Sequence, residues 1–296
     1  MEPILDKKQA AVQQFWNGKP CDSENSQLSS TSRNFYEEIE AERYTHQGHI
    51  LTILDKLKWE GKKVLEIGTG VGTDARQLIS RGAEYYGINV DEGSCNITNQ
   101  ALGLFGVPGT VQVMSATATR FPDATFDAVY TFGVLHHIPE VNKAISEIHR
   151  ILKPGGELLF MVYNRSSINY QIEIRYLRRW ALRMILLPGA ISLFSLLGFP
   201  RGKLSRHAEL FRSFGKMSEE EWLSRNTDGP NSPYSLVYGR EQAEDLLSGK
   251  FKVKSNEVYY FEPRHWGPLG RFLPNFLVRF LGKHWGWHRV VLAERI

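Results

Sequence analysis

The sequence predicts an α/β chain built on an open parallel sheet with helices on both faces. Short apolar runs at 62–67, 84–90, 110–114, 127–132 and 157–163 alternate with stretches of helical periodicity. The first run, Val64 to Ile67, opens into Gly68-Thr69-Gly70-Val71-Gly72-Thr73, and a helical pattern through Ala75, Leu78 and Ile79 follows. Apolar residues make up 42% of the 296, which is enough for a globular core.

Residues 1–60 read as a helical N-terminal cap. Val12, Phe15 and Trp16 share one helical face, and Asn17 to Ser32 is a loop rich in Ser, Asn, Gly and Pro. Asn34 with Glu37 three residues on has the form of a capping box for a helix carrying Phe35, Ile39 and Tyr44. A further helix runs from about His49 towards Trp59, with Ile50, Leu54 and Leu57 on one face.

Residues 61–163 form the core. Strand, glycine turn and helix start follow one another directly, and glycines let the backbone take positive φ and let a ligand come close. The helix behind them offers unpaired N–H groups and a positive dipole end to an anion. In sheets of this kind ligands bind at the carboxyl ends of the strands. A nicotinamide fingerprint needs glycine at 73, where Thr73 stands. Leu152-Lys153-Pro154-Gly155-Gly156 reads as the close of a helix before the fifth strand.

Four segments stand in a telling order: Glu66-x-Gly68-x-Gly70-x-Gly72, then Phe121-Pro122-Asp123-Ala124-Thr125-Phe126-Asp127, then Val134-Leu135-His136-His137, then Leu152-Lys153-Pro154-Gly155-Gly156. Together they resemble the class I S-adenosylmethionine-dependent methyltransferases, over roughly residues 62–163. The resemblance implies a Rossmann-like sheet of seven mostly parallel strands. The last two strands would come from Phe251 to Phe261 and His288 to Arg295, the seventh antiparallel. It implies S-adenosyl-L-methionine as cofactor, with S-adenosyl-L-homocysteine as product. Glu66 would face the methionine amino group, and Gly68, Thr69, Gly70, Gly72 and Thr73 would pass under the methionine part. Asn89, followed by Val90, stands where the family usually has an acid for the ribose hydroxyls. Ser115 stands where it usually has Asp for the adenine amino group, with Ala116 offering a backbone N–H beside Thr117. Phe132 completes the expected cofactor-binding set. The catalytic candidates are His136, His137, Tyr163, His49 and Tyr44.

Residues 164–250 are read as an inserted helical lid, and 251–296 as the last two strands with an amphipathic helix between them. Residues 164–216 carry eight Arg and two Lys against two Glu, a net +8 in a chain of net +4. Ile174, Leu177, Ala181 and Met184 recur at helical spacing, with Arg175, Arg179 and Arg183 as a second stripe. Arg271 to Lys283 is a second basic amphipathic stretch, with Phe272, Leu273, Phe276, Leu277 and Phe280. Such helices suit an anionic membrane surface or a partner.

Composition narrows the rest. The small net charge argues against a bulk nucleic-acid binder, and basic and aromatic residues do not interleave as in a known module, so no nucleic acid is expected. Cys21 and Cys95 suggest neither a metal knuckle nor a disulfide framework, and a cytoplasmic, reducing setting is the default, with the membrane periphery as its variant. No cluster has metal-ligand spacing, so no metal is expected. No secretion signal and no membrane-spanning run is read. The expected function is methyl transfer to a small-molecule acceptor by in-line displacement. Its alternatives are a degenerate or altered-cofactor binding protein of the same fold and a membrane-surface methyltransferase acting on a lipid-like acceptor.

Overall fold

The computed structural model describes residues 2–23, 26–214, 217–263, 266, 270 and 272–296. Its order is α1 (Glu2–Gly18), α2 (Arg33–His46), α3 (His49–Leu54), β1 (Lys63–Ile67), α4 (Thr73–Ser80), β2 (Glu84–Asn89), α5 (Glu92–Phe105), β3 (Thr110–Val113), β4 (Phe126–Phe132), α6 (Val141–Ile151) and β5 (Leu152–Tyr163). There follow a π-helix (Asn169–Leu177), α7 (Arg178–Met184), α8 (Ala190–Leu196), α9 (Arg201–Phe214), α10 (Glu219–Ser224), α11 (Arg240–Asp245), β6 (Phe251–Tyr259), α12 (Asn275–Trp285) and β7 (His288–Arg295). The seven strands lie in the order β3-β2-β1-β4-β5-β7-β6. Strands β1 to β5 pair in parallel and the sheet has an antiparallel end.

Chain contacts divide the molecule into two compact units. The first holds Met1–Val162, Arg240–Glu257 and Arg289–Ile296; the second holds Tyr163–Gly239 and Val258–His288. The N-terminal helices therefore share a unit with the sheet. The boundary expected at 250/251 falls at 239/240, and the stretch between the last two strands joins the second unit.

In the first unit the strand order follows from buried faces. Val64, Leu65, Val129, Leu158 and Phe160 are inaccessible to solvent, as central parallel strands covered on both sides require. Each fully buried Leu or Ile contributes about 1.5–3 kcal/mol. Helix α2 brings Phe35, Tyr36 and Ile39 against Val71 and Ala101. Its cap is Ser32, whose side chain accepts from the Asn34 amide, so the capping box expected at Asn34 is displaced by two residues; Glu37 pairs with Arg33 instead. Helix α3 is short, ending at Leu54, where Trp59 folds back to donate its indole N–H to the Leu54 carbonyl at 2.6 Å.

Strand β5 starts five residues earlier than expected. Phe126 pairs with Leu152 and Ala128 with Glu157, so β5 advances five residues while β4 advances two. Lys153-Pro154-Gly155-Gly156 is thus an irregularity within the strand rather than a turn before it, and Gly155 takes φ +73°.

In the second unit Ile174, Trp222, Leu223, Val237 and Trp287 form a core, and the Trp222 indole donates to the Ile174 carbonyl at 2.9 Å. The π-helix explains why the expected apolar stripe fails. Its wider turn breaks the α-helical spacing, so Ile174 is buried while Leu177 is exposed. Arg175 and Arg179 of the second stripe have partners within the unit. Arg175 donates to Gln171, and Arg179 pairs with Glu219 at 2.8 Å and lies over the Trp222 ring. Arg271, which opens the second basic stretch, lies outside the described residues.

Candidate functional site

The glycine turn joins β1 to α4. Gly68, Gly70 and Gly72 all take positive φ, +81°, +55° and +79°. At Gly68 a side chain is excluded twice: the backbone is left-handed, and a Cβ would stand 2.2 Å from Val134 Cγ2. Gly72 caps α4 without a side-chain hydrogen bond, and the buried Thr73 hydroxyl that follows has no partner within the protein. The turn therefore offers a helix start with no side-chain cap and an unsatisfied hydroxyl.

Asn89 holds this turn from β2. Its Oδ1 accepts from the Thr69 amide at 3.0 Å and its Nδ2 donates to Thr69 Oγ1 at 2.6 Å. Thr69 Oγ1 also meets Thr98 Oγ1 at 2.7 Å, and Thr98 donates to the Gly70 carbonyl. An amide has two acceptor lone pairs and two N–H groups; Thr69 takes one of each, and the Asn89 side chain also bonds the Cys95 thiol. A carboxylate there could not donate to Thr69.

Glu66 ends the buried strand at 2% exposure and accepts from the Tyr85 hydroxyl at 2.6 Å. Burial, and then the nearby charge of Asp74, push its carboxyl up from 4.5 to about 8. Glu66 thus keeps its proton at neutral pH until a cation comes beside it.

Around Asp74, in the first turn of α4, lies a cluster that the sequence reading missed. Arg43 of α2 grips it with two bonds, Nη2 to Oδ2 at 2.9 Å and Nε to Oδ1 at 3.2 Å. Tyr44 and Tyr130 each donate a hydroxyl to it at 2.9 Å. Arg43 also pairs with Asp22 at 2.9 Å. Burial works against the Arg43 charge, but Asp74 and then Asp22 hold its pKa well above the ordinary value. Burial and the Asp74 charge drive the Tyr44 phenol far up. Burial and then Arg43 push His49 down to about 3. Tyr44 cannot ionise as a base at ordinary pH, and His49 is too weak a base to hold a proton there. The only sequence sign of Asp74 was an acid in a first helical turn.

The remaining expected residues have these surroundings. Val90 gives its carbonyl to Gln13 of α1 at 2.8 Å, and the Gly93 amide donates to Asn17 at 3.0 Å, so α1 covers the end of β2. Ser115 Oγ meets Thr117 Oγ1 at 2.8 Å and accepts from the Thr117 amide, a local turn beside buried Ala116. Phe132 lies under the Arg43 guanidinium at 5.8 Å and 6.4 Å from the His49 ring. His136 and His137 are buried in a single 3₁₀ turn, rings 4.2 Å apart, with Trp16 of α1 at 5.4 Å from His137. Tyr163 belongs to the second unit, where it donates to Asp228 at 2.7 Å and stacks on Trp287. No group of three or more His, Cys, Asp or Glu side chains able to hold a metal occurs among the described residues.

Residues 65–160 match the family model described as a methyltransferase domain. Among curated proteins the chain is similar to a sterol 4-C-methyltransferase of Caenorhabditis elegans, at 32% identity over 40% of this chain and 35% of that one. It is also similar to a ubiquinone biosynthesis O-methyltransferase of Alkalilimnicola ehrlichii, at 29% identity over 39% and 47%. The chain spans about a third to a half of the length of these relatives. Among solved structures, magnesium protoporphyrin IX methyltransferase of Synechocystis with bound S-adenosylhomocysteine matches with TM-score 0.55 at 12% identity, over 98% of this chain and 100% of that one. The order of strands, the glycine turn and the matched segment thus define a class I S-adenosylmethionine-dependent methyltransferase fold. Within that fold, residues 65–160 are similar to a methyltransferase domain.

Proposed function

We propose that this protein transfers a methyl group from S-adenosylmethionine to a small-molecule acceptor. One observation carries the reading: the open glycine turn between Glu66 and α4, with its unsatisfied Thr73 hydroxyl and uncapped helix start. The donor set fits the cofactor. Glu66 suits the amino group, because a cation there would relieve the burial that now keeps its carboxyl protonated. Gly68, Gly70 and Gly72 let the turn take the left-handed backbone along which the cofactor's chain would run. The Asn89 amide, at the carboxyl end of β2, suits a ribose hydroxyl, and the Ala116 N–H, beside Ser115, suits adenine.

When bound, the sulfonium supplies a methyl group already attached to a good leaving group. The protein's part is then to align the acceptor and keep water out. In this reading Tyr44 and His49 brace the Asp74 cluster and do not move protons. His136 and His137 form a packed wall with Trp16. The curated relatives are named for sterol and ubiquinone-pathway methylation, which favours an apolar acceptor here too. The domain division proposed with this reading is a core of sheet and N-terminal helices and a second, mostly helical unit.

The test is calorimetric binding of S-adenosylmethionine and S-adenosylhomocysteine to the wild type and to Asn89→Asp. Micromolar binding by the wild type supports the reading. Absence of binding by the wild type with recovery in Asn89→Asp would mean an altered-cofactor protein. Absence in both would leave the fold without the activity.

A further inference from the structure

Exposed apolar surface is concentrated in the second unit. Among the described residues sixteen large hydrophobic side chains are exposed, and twelve of them lie in this unit, which holds little more than a third of the chain. They fall into stripes with helical spacing. Phe276 and Phe280 stand four residues apart on α12, and Phe272 lies just before the helix; Phe272 and Phe276 are 82% and 75% exposed. Ile172, Tyr176 and Trp180 recur every four residues on the π-helix and α7. Leu193 and Leu196 stand out on α8, a short helix between Gly189 and Gly198, with Leu196 86% exposed. A monomer in water rarely leaves this much apolar surface uncovered.

Charge says what covers it. The second unit carries 15 Lys and Arg against 7 Asp and Glu, a net +8, so the first unit is net −4 in a chain of +4. The cations flank the apolar stripes: Arg279 and Lys283 follow Phe276 and Phe280 by three residues, and Arg183 follows Trp180 by three; all three cations are exposed. Trp and Tyr beside Arg and Lys, next to aliphatic side chains, are the composition of an interfacial surface. A symmetric contact with a second copy would press these cations against themselves. Several separate stripes suit a fluid partner, which needs no complementary shape. No helix among the described residues is long and apolar enough to cross a membrane, so the contact is one of lying on the surface.

We propose that the second unit docks on the surface of an anionic lipid bilayer, with Phe272, Phe276, Trp180 and Leu196 entering the headgroup–acyl boundary and Arg183, Arg279 and Lys283 on the lipid phosphates. The docking face requires nothing of the methyl-transfer reading.

The experiment is flotation of the full chain with vesicles of phosphatidylcholine alone or mixed with phosphatidylglycerol, at low and high salt. The expected result is binding to the anionic vesicles about tenfold or more above the neutral ones, weakened by salt. Phe272→Ser with Phe276→Ser should abolish it, and Arg279→Glu with Lys283→Glu should remove the preference for anionic lipid. Because these side chains are exposed, the thermal unfolding of each variant should match the wild type. Calorimetric cofactor binding by the same variants separates failure here from failure of the proposed activity. No flotation with anionic vesicles at low salt would overturn the proposal. So would equal binding to both vesicle types, or a wild-type dimer in sedimentation that the serine variants convert to monomer and that does not bind vesicles.

Discussion

Asp74 and Phe276 are each in the medium their chemistry resists: a carboxylate 5% exposed in one unit, an aromatic ring 75% exposed in the other. Asp74 is tolerated because Arg43, Tyr44 and Tyr130 supply four donor bonds. Phe276 has no such internal compensation. The first unit meets an unfavourable burial with partners drawn from its own chain, whereas the second leaves an unfavourable exposure to be met from outside. One is a site built before any ligand arrives; the other is a surface that gains from contact.

The contrast can be broken from the inside first. Arg43→Met should strand the Asp74 carboxylate in the core and destabilise the first unit by about 3–5 kcal/mol, read as a lowered first transition in calorimetric unfolding. An unchanged transition would mean that the two tyrosines suffice. Gly68→Ala comes next. The left-handed backbone alone costs about 1–2 kcal/mol, the clash with Val134 adds to it, and cofactor binding should be lost in titration calorimetry.

Glu66 provides a finer probe through pH. Its carboxyl is raised from 4.5 to about 8, so the folded chain holds a proton that the unfolded chain has released across that window. Stability should fall as pH rises from about 4.5 to about 8, and Glu66→Gln should flatten this dependence. Affinity for the cationic cofactor should run the other way, rising ~tenfold per pH unit below that pKa, with protons released on binding. A pH-independent affinity would show that the amino group does not meet Glu66. The smallest effect belongs to the second unit: Leu196→Ser should change unfolding by no more than about 0.5 kcal/mol, seen as an unshifted transition.

Much of the first unit was legible because its signals are local. Parallel strands declare themselves as apolar runs, and Gly68, Gly70 and Gly72 mark the turn whatever surrounds them. The early start of β5 was not legible, since Pro154-Gly155-Gly156 has the chemistry of a turn and only pairing with β4 keeps it in the strand. The Asp74 cluster was hidden because its partners lie 31 residues before it and 56 after it, and no periodicity links them. The pairing of Arg175 and Arg179 within the unit was hidden for a related reason. The spacing of the arginine stripe was real, but a π-helix and the acid at Glu219 redirected it.

The tether between Arg43 and Asp74 also bears on modularity. The match to the methyltransferase-domain model spans 65–160, yet the two groups that neutralise and brace Asp74 from α2 stand outside it. A fragment cut at the edge of that similarity would keep the carboxylate and Tyr130 but lose the guanidinium and the Tyr44 hydroxyl. The segment that the domain model matches is therefore smaller than the set of elements that neutralises Asp74. Any recombination that grafts this core onto another lineage's N-terminal helices must carry an Arg with it, or replace Asp74 in the same step.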